Sequence, residues 1–370
     1  MSKTLMIFGL GDLGGWVLEF LARREGVGSI VTIDRREDYS AVKTDCAAVG
    51  SGLEGHSKNI KFEKCDINDI ERTAELIKRY TPDVIYSCLT VSGWLARRNL
   101  SKIMGQDYYK ANVISVALNG TMLSKLMKAI KQSGVHAHVV NHSYPDVVNM
   151  VLSRVGLPVL IGAGNLDNIV GEIRRKISVT EKVPMREVSV YFIAEHAINV
   201  FGTGTGIPYF LKVFIGDTNI TGRIDADSLI SNRLLKSSPE QGGWLNHPTI
   251  ASSAVRNIMA IINDTNEFCH APGPNGLPGG YPVRINAAGV EIVLPEGISL
   301  DDAIKINQEG MRAEGIEVIK DDGTVVLTDE ANKIVNKYYE INLREIPFED
   351  LDDIARELVS RVNKLLGKYK

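Results

Sequence analysis

The sequence has only four cysteines among its 370 residues, and they are Cys46, Cys65, Cys88 and Cys269. None of them pairs with another at the C-x-x-C spacing of zinc or redox sites, so we expect reduced thiols and no metal site. We also expect no signal peptide, because the first residues lead straight into a predicted strand. These absences favour a cytoplasmic protein.

Neither sign of charge is in marked excess. Lys and Arg number 42 and Asp and Glu number 45, which gives a formal net charge of −3 at pH 7. This balance gives no reason to expect nucleic acid or an anionic membrane as a partner. The longest apolar runs are too short to cross a bilayer. The hydrophobic content of 44% is ordinary for a globular chain, and the length suits about two domains.

The first 36 residues carry the pattern on which the fold prediction depends. Residues 5–8 form an apolar run that leads into the segment GLGDLG at residues 9–14. An amphipathic helical pattern follows, and a second apolar run, residues 30–33, ends in Asp34. This order of strand, glycine turn, helix, strand and acid is typical of a dinucleotide-binding unit.

Each glycine of this turn has a physical role in such a unit. Gly9 allows the tight turn, Gly11 lets the backbone approach a pyrophosphate, and Gly14 lets the helix pack closely on the strand. Asp12 and Leu13 begin the helix, whose free N–H groups and positive dipole end attract phosphates. The alternative is that the glycines only pack the helix on the sheet, and the strand–helix–strand context disfavours it.

Asp34 and the two arginines that follow it bear on the choice of dinucleotide. The Asp34 carboxylate can accept hydrogen bonds from both ribose hydroxyls of an adenosine and repels a 2′-phosphate, which favours NAD. Arg35 and Arg36 could hold that phosphate, so NADP stays open as the less favoured cofactor.

Predicted strands and helices alternate through the first half of the chain, and the second half has a mixed pattern. Alternation implies right-handed crossovers and a parallel sheet. The predicted fold class is therefore α/β, a Rossmann doubly wound parallel sheet followed by a mixed α+β substrate domain. We expect a dinucleotide-binding domain over residues 1–162, a substrate domain over 163–345 and a C-terminal helical extension over 346–370.

From residue 139 onwards the chain resembles the lactate/malate dehydrogenase family. The resembling segments follow the family's order, and they are VVN and DV within residues 139–147, VGLP at 155–158, IGAGNLD at 161–167, EH at 195–196, ASSA at 251–254, and GYPV and AGVE within 280–291. The resemblance implies an NAD(H)-dependent oxidoreductase that transfers hydride between nicotinamide and a hydroxyl or carbonyl carbon.

The resemblance also assigns roles to individual residues. In that family a histidine exchanges the proton at the substrate carbon and an aspartate orients it, and these correspond to His196 and Asp167. Asn141 would bind the substrate oxygen or the nicotinamide carboxamide, and Asn112 would lie nearby. Taken singly, Asp167 could instead cap a helix, His196 could be a core or surface histidine, and Asn141 could simply end a strand.

The arginine with which the family clamps the substrate carboxylate is missing, because its position corresponds to Val170. Arg174 lies one helical turn further on, and Arg97 and Arg98 lie in a polar segment, residues 90–105, that could be a lid or a solvated loop. We expect these three arginines to be the candidates for binding an acidic group on a small polar substrate that differs from the family's.

Other interpretations stay open. Residues 62–69, 82–85 and 109–113 resemble extended short-chain dehydrogenases and sugar-nucleotide epimerases, and saccharopine-dehydrogenase-like reductases share the N-terminal pattern. In the short-chain interpretation Tyr144 would be the acid, although Val148 stands where its lysine partner is expected. A third interpretation is a dinucleotide-binding protein without catalytic activity.

The expected partners are a small-molecule substrate and further copies of the chain, in a homodimer or homotetramer. The predicted helices at residues 225–235 and 248–263, and the long helix after Ala41, are the candidate subunit contacts.

Overall fold

The computed structural model describes residues 3–231 and 246–368, and its centre is a six-stranded parallel sheet. The strands are β1 (Lys3–Phe8), β2 (Val27–Asp34), β3 (Asn59–Lys64), β4 (Val84–Ser87), β5 (His138–Asn141) and β6 (Ile161–Gly162). Their order across the sheet is β3-β2-β1-β4-β5-β6, and all neighbours are parallel. The α/β, doubly wound architecture predicted from the sequence is confirmed.

Helices cover both faces of this sheet. They are α1 (Asp12–Ala22), α2 (Glu37–Leu53), α3 (Ile70–Tyr80), α4 (Trp94–Met104), α5 (Asp107–Lys110), α6 (Ser115–Ser133) and α7 (Pro145–Arg154). Successive residues of a strand point to opposite faces. Leu5 and Ile7 of β1 accordingly share a core with α1, whereas Met6 and Phe8 share a core with α3 and α6.

The second half of the chain is mixed α+β. Its strands form two antiparallel sheets, β7 (Val188–Ile193) with β8 (Phe210–Ile215) and β9 (Thr218–Asn219), and β10 (Glu267–Pro272) with β11 (Gly280–Asn286) and β12 (Gly289–Ile292). Its helices are α8 (Leu166–Glu181), α9 (Ala197–Phe201), α10 (Ala226–Ser231), α11 (His247–Asn263) and α12 (Leu300–Ala313). Residues 232–235 of the helix predicted at 225–235 lie outside the described residues.

Residues 314–368, which we call the C-terminal segment, form a third antiparallel sheet and two helices. These elements are β13 (Ile316–Ile319), β14 (Val325–Leu327), α13 (Asp329–Tyr339), β15 (Glu345–Ile346) and α14 (Leu351–Lys368). Helix α14 packs on α6, where Asp352 accepts a hydrogen bond from Thr121 and pairs with Lys125 at 3.0 Å. The segment shares one hydrophobic core with the parallel sheet. Residue 345, where the sequence suggested a domain boundary, lies within β15.

One helical stretch, Asp107–Ser133, is long and apolar enough to cross a bilayer by length and composition. This corrects the expectation that no segment of the chain would be. However, 83% of its apolar window is buried inside the protein, where α3, α7 and α14 pack against it. Core helices of soluble proteins have the same character.

Candidate functional site

A cavity of about 510 Å³, which we call the cleft, opens at the carboxyl ends of β1 to β4. Six residues predicted to bind the cofactor line it, and they are Gly9, Gly11, Asp12, Leu13, Asp34 and Arg35. The strand order reverses between β1 and β4, and doubly wound sheets bind their ligands at such a point. The volume is within the range of cofactor and small-molecule sites.

Neighbouring atoms crowd Gly9 and Gly14 of the glycine turn, but none lies close to Gly11. Gly9 has a φ of +93°, and its N–H donates to the Ile33 carbonyl at 2.9 Å. A Cβ on Gly14 would overlap the Gly9 carbonyl oxygen, so only glycine fits where α1 passes over the turn. A Cβ on Gly11, in contrast, would meet nothing within 4 Å. The packing of the protein therefore does not require Gly11, and the space beside it is open.

Asp34, at the end of β2, is held by backbone groups on both oxygens of its carboxylate. Oδ2 accepts a hydrogen bond from the Leu10 N–H at 2.8 Å, and Oδ1 accepts one from the Arg36 N–H at 2.9 Å. Burial alone would raise the pKa of Asp34, but these hydrogen bonds and the Arg36 guanidinium outweigh it and hold the pKa below its usual value. The carboxylate in the cleft is therefore ionised at neutral pH.

Cations surround the same end of the cleft. The Arg36 guanidinium lies 3.4 Å from Asp34 and 4.8 Å from the centre of the Tyr39 ring. The Lys43 ammonium lies 4.6 Å from the same ring centre and donates to the Gly11 carbonyl at 2.9 Å. Arg36 is therefore engaged by both Asp34 and Tyr39.

His142, the residue after Asn141, lies in the cleft, and no motif in the sequence marked it. Its Nδ1 lies 2.9 Å from the Tyr86 hydroxyl, and its Nε2 has no hydrogen-bond partner among the described residues. Burial lowers the pKa of His142 to about 4, so the ring is neutral at neutral pH. Ser143 and His247 line the cleft with it.

Asn141 does not line the cleft, because its side chain is fully buried and is used within the loop after β5. Its Nδ2 donates to the Ser143 carbonyl at 3.2 Å and to Asn149 Oδ1 at 2.9 Å, while its Oδ1 accepts from the Ser143 N–H at 2.9 Å. The expectation that Asn141 binds substrate or nicotinamide is therefore corrected. Asn141 shapes the loop that carries His142 and Ser143.

His196, just before α9, is not among the residues that line the cleft, and it is paired with a carboxylate from a distant part of the chain. Its Nδ1 lies 2.5 Å from Oε1 of Glu314, and the two side chains are 19% and 1% exposed. The Nδ2 atom of Asn199 lies 3.5 Å from the other ring nitrogen, Nε2. Burial alone would lower the pKa of His196, but the charge and hydrogen bond of Glu314 raise it to about 10. His196 therefore carries a proton at neutral pH.

Two more carboxyl groups face this pair. Asp146 in α7 and Glu195 are fully buried, and their charges add to that of Glu314 in raising the pKa of His196. Burial raises the pKa of Asp146 to about 6 and that of Glu195 well above its usual value. Within residues 3–231 and 246–368, no group of three His, Cys, Asp or Glu side chains is arranged to hold a metal ion. The raised pKa values of Asp146, Glu195 and His196 mean that this cluster can hold protons near neutral pH.

Asp167 does not orient His196, contrary to the expectation from the family resemblance. Asp167 lies in the first turn of α8, and its Oδ1 accepts a hydrogen bond from Arg256 Nη1 at 2.9 Å. Arg256 also donates to Asn257 Oδ1 at 2.8 Å and to the His270 carbonyl at 3.0 Å. This ion pair lines a second cavity of about 710 Å³. The Asp167 carboxylate is thus paired with Arg256, which belongs to no motif in the sequence.

The three predicted arginines lie in different places. Arg97 in α4 lines the cleft, where its Nη2 lies 3.3 Å from Thr90 Oγ1. Arg98 belongs to the same helix and does not line the cleft. Arg174 lines the second cavity and donates to the Met185 carbonyl at 2.9 Å. Of the three, only Arg97 is placed to meet a ligand in the cleft.

The remaining predicted elements lie beside α4. The segment at residues 90–105, expected as a lid or loop, is mostly helix α4. Asn112 lies in the turn between α5 and α6, where its Oδ1 accepts a hydrogen bond from Ser115 Oγ at 2.8 Å. It does not line the cleft.

Solved structures of dehydrogenases share the fold. The lactate dehydrogenase of Cryptosporidium parvum, complexed with lactic acid and nicotinamide adenine dinucleotide, has a TM-score of 0.59 and 19% identity over 85% of this chain and 96% of that one. The lactate dehydrogenase of Eimeria maxima, with NADH and oxamate, has a TM-score of 0.59 and 17% identity over 84% and 92%. The malate dehydrogenase of Salinibacter ruber has a TM-score of 0.56 and 16% identity over 84% and 95%.

Sequence comparison covers a smaller part of the chain than structure comparison does. A family model described as the KR domain matches residues 2–150, which hold the glycine turn and most of the parallel sheet. None of the curated proteins matches the chain. The likeness to the solved structures spans both halves of the molecule, while fewer than one residue in five is identical. The chain therefore shares the fold of these solved lactate and malate dehydrogenases.

Proposed function

We propose that the protein is an NAD(H)-dependent oxidoreductase that transfers hydride between nicotinamide and a hydroxyl or carbonyl carbon of a small polar substrate. The observation that carries the proposal is the His196–Glu314 pair in a fold of this class. Reduction of a carbonyl needs a proton from a positioned acid, and oxidation of an alcohol needs a positioned base. When Nδ1 of an imidazole is bound to a carboxylate, Nε2 is the nitrogen that donates the proton in reduction and accepts it in oxidation.

In this proposal His196 moves the proton, and the bound cofactor supplies or accepts the hydride at its nicotinamide. During reduction the charged imidazole donates its Nε2 proton to the oxygen of the substrate. During oxidation the neutral ring takes the hydroxyl proton at the same nitrogen. Glu314 keeps the Nδ1 proton in place throughout, which fixes the tautomer and the plane of the ring.

The proposed cofactor is NAD, with NADP as the less favoured alternative. The ionised Asp34 carboxylate lines the cleft at the end of β2, where it would meet the adenosine ribose and repel a 2′-phosphate. Arg35 also lines the cleft. Arg36, the other candidate for holding a phosphate, is already engaged by Asp34 and Tyr39.

The proposed substrate is small and polar, and it differs from a 2-oxo acid clamped between arginines. Val170 of α8 stands at the position of the arginine with which the family binds the substrate carboxylate. Its side chain is buried in an apolar core. Arg97 is the predicted arginine that lines the cleft, so an acidic group on the substrate would be bound there.

The substitution His196→Gln tests the proposal. We expect the variant to bind NADH as the wild type does and to lose at least about a hundredfold in turnover, because general acid–base catalysis contributes on this scale. Binding is followed by NADH fluorescence, and turnover by a screen of hydroxy acids, polyols and their carbonyl forms. The matched control is His56→Gln, which removes a histidine paired with Glu25 outside the cleft. A His196→Gln variant with most of its activity would refute the assignment.

A second candidate, a short-chain-type reductase or epimerase, would use Tyr144 as the acid. The Tyr144 hydroxyl lies 3.1 Å from Glu314 Oε2, close to the same pair. Tyr144→Phe would then abolish turnover and His196→Gln would not. Tight NADH binding without turnover of any substrate would instead support a dinucleotide-binding protein without catalytic activity.

We further propose a cytoplasmic homodimer or homotetramer whose partners are its small-molecule substrate and other copies of the chain. The slight net charge supports the view that nucleic acid and membranes are not partners.

A further inference from the structure

We propose that Glu314, which the C-terminal segment supplies, is the positioning residue for His196 and takes the place that the family resemblance gives to Asp167. The inference rests on the proposed function, since it concerns the residue that would exchange the proton. It also gives the C-terminal segment a part in building the site, beyond packing on the parallel sheet.

Glu314 is fixed from several sides. It follows the last residue of α12, and its backbone N–H donates to the Met311 carbonyl at 3.1 Å. One carboxylate oxygen meets His196 Nδ1 at 2.5 Å, and the other accepts a hydrogen bond from the Tyr144 hydroxyl at 3.1 Å. Because the side chain is only 1% exposed, water does not compete for either oxygen. The carboxylate can therefore hold the ring of His196 in one orientation.

Asp167 cannot do the same in this structure, because its carboxylate is bound to Arg256. Removing Asp167 would leave that arginine without its ion-pair partner in the second cavity. The titratable groups that face His196 are Glu314 from the end of α12, Asp146 from α7 and the adjacent Glu195. Glu314 thus pairs with His196, whereas Asp167 pairs with Arg256.

The C-terminal segment also contacts the helices that flank the site. Asp107 of α5 pairs with Lys337 at 2.9 Å and accepts a hydrogen bond from the Tyr338 hydroxyl at 3.1 Å, both from α13. The neighbouring Tyr109 packs its ring 6.1 Å from that of Phe201, at the end of the helix that His196 begins. The C-terminal segment therefore both supplies Glu314 and holds α5, whose neighbour Tyr109 contacts the end of α9.

The first experiment measures the proton on His196 directly and needs no substrate. The imidazole resonances of the seven histidines are titrated by NMR, and the His196→Gln variant identifies the resonance of His196. In the wild type we expect His196 to titrate well above an ordinary histidine. Glu314→Gln should lower its pKa by about 1–3 units, the range of a single close carboxylate. Glu314→Asp, which keeps the charge on a shorter side chain, should recover part of the shift.

Two further variants serve as matched controls. Asp167→Asn removes the carboxylate that the family resemblance favours, and we expect it to leave the titration of His196 unchanged. Glu317→Gln removes an exposed carboxylate three residues from Glu314 that pairs with Arg312 at 2.9 Å, and it should also have no effect. A shift of His196 in Asp167→Asn with none in Glu314→Gln and Glu314→Asp would overturn the proposal.

The second experiment uses the pH dependence of turnover once a substrate is known. Reduction requires protonated His196 and falls as the pH rises through the pKa of this residue, whereas oxidation requires the neutral ring and rises. In Glu314→Gln both limbs should move to lower pH by about 1–3 units, so oxidation improves at neutral pH relative to reduction. A purely structural defect would lower both rates without moving the limbs. If no substrate is turned over, the proposed function fails, while the NMR titration still decides the role of Glu314.

Discussion

The Leu10 N–H donates a hydrogen bond to Oδ2 of Asp34 at 2.8 Å, and this bond joins the glycine turn to the acid at the end of β2. Since the other oxygen accepts from the Arg36 N–H, the carboxylate is oriented before any ligand arrives. Burial raises the pKa of Asp34, but these two bonds together with the Arg36 guanidinium hold it below its usual value. The turn and the acid therefore act as one preformed unit.

The first prediction concerns Asp34→Ser. We expect the NADH dissociation constant to rise about tenfold or more, because hydrogen bonds to a charged group contribute about 1.5–3 kcal/mol. Affinity for NADPH should improve relative to NADH, since the repelling charge is gone and Arg35 and Arg36 remain. Fluorescence titration with both nucleotides measures this change. Glu37→Gln is the control, because Glu37 lies on α2 and pairs with Lys64 outside the cleft. A wild type that prefers NADPH would contradict the prediction.

The second prediction separates two glycines of one turn. Gly14→Ala should destabilise the protein by about 1–3 kcal/mol, the usual cost of overpacking, because the added methyl group overlaps the Gly9 carbonyl oxygen. Gly11→Ala adds the same group where nothing lies within 4 Å, so it should leave the thermal midpoint nearly unchanged and weaken NADH binding. Thermal unfolding and NADH titration of both variants measure the contrast. Equal loss of stability in the two would show that Gly11 is a packing residue.

The parallel sheet and glycine turn could be predicted from the sequence because their determinants lie close together in the chain. Asp34 and Leu10 are only 24 residues apart, and the pattern between them sets strand, turn and helix. The partners of the two central site residues could not be predicted in this way. His196 and Glu314 are 118 residues apart, and Asp167 and Arg256 are 89 apart. Neither pair belongs to a local motif.

The family resemblance did not predict the hydrogen-bond partners of Asp167 and Asn141. It placed Asp167 beside the histidine, but Arg256 competes for that carboxylate and Glu314 is already at the Nδ1 position. It gave Asn141 a ligand-binding role, whereas the loop after β5 uses the whole side-chain amide. In both cases the residue type persists while its hydrogen-bond partner differs, and a single sequence does not reveal partners.

The third prediction concerns stability in acid. His270 in β10 is fully buried, and burial lowers its pKa to about 4 from an ordinary value of 6.5. Between these values the unfolded chain binds a proton that the folded protein does not, so stability present above pH 6.5 is lost as the pH falls towards 4. The contribution amounts to about 3 kcal/mol at most.

Urea unfolding at several pH values between 4 and 7 measures this dependence. His270→Gln should flatten the curve over this range, whatever it does to the stability at neutral pH. His136→Gln, a change at an exposed histidine before β5, should leave the slope as it is in the wild type. A wild-type stability that does not fall in acid, or a slope unchanged in His270→Gln, would show that His270 is protonated in the folded protein.

The fourth prediction concerns assembly through α2, whose amphipathic pattern is reversed. Its buried positions are polar or small, and they are Ser40, Thr44, Ala47 and Ser51. Its outer face carries Val42, Val49 and Leu53, which are spaced seven and four positions apart and are 60%, 64% and 85% exposed. Contiguous apolar faces of this kind mark interfaces. We therefore expect α2 to pack against another copy of the chain in the proposed homo-oligomer.

Light scattering after gel filtration tests this expectation. Val49→Asp and Leu53→Asp place charges on the stripe, and each should shift the protein towards the monomer while the thermal midpoint of the isolated chain changes little, because both side chains are exposed within one protomer. Val318→Asp is the control, since Val318 is an exposed apolar residue of β13, away from α2. If the charged variants keep the wild-type mass, or if the wild type is itself a monomer, then α2 is not the contact between copies.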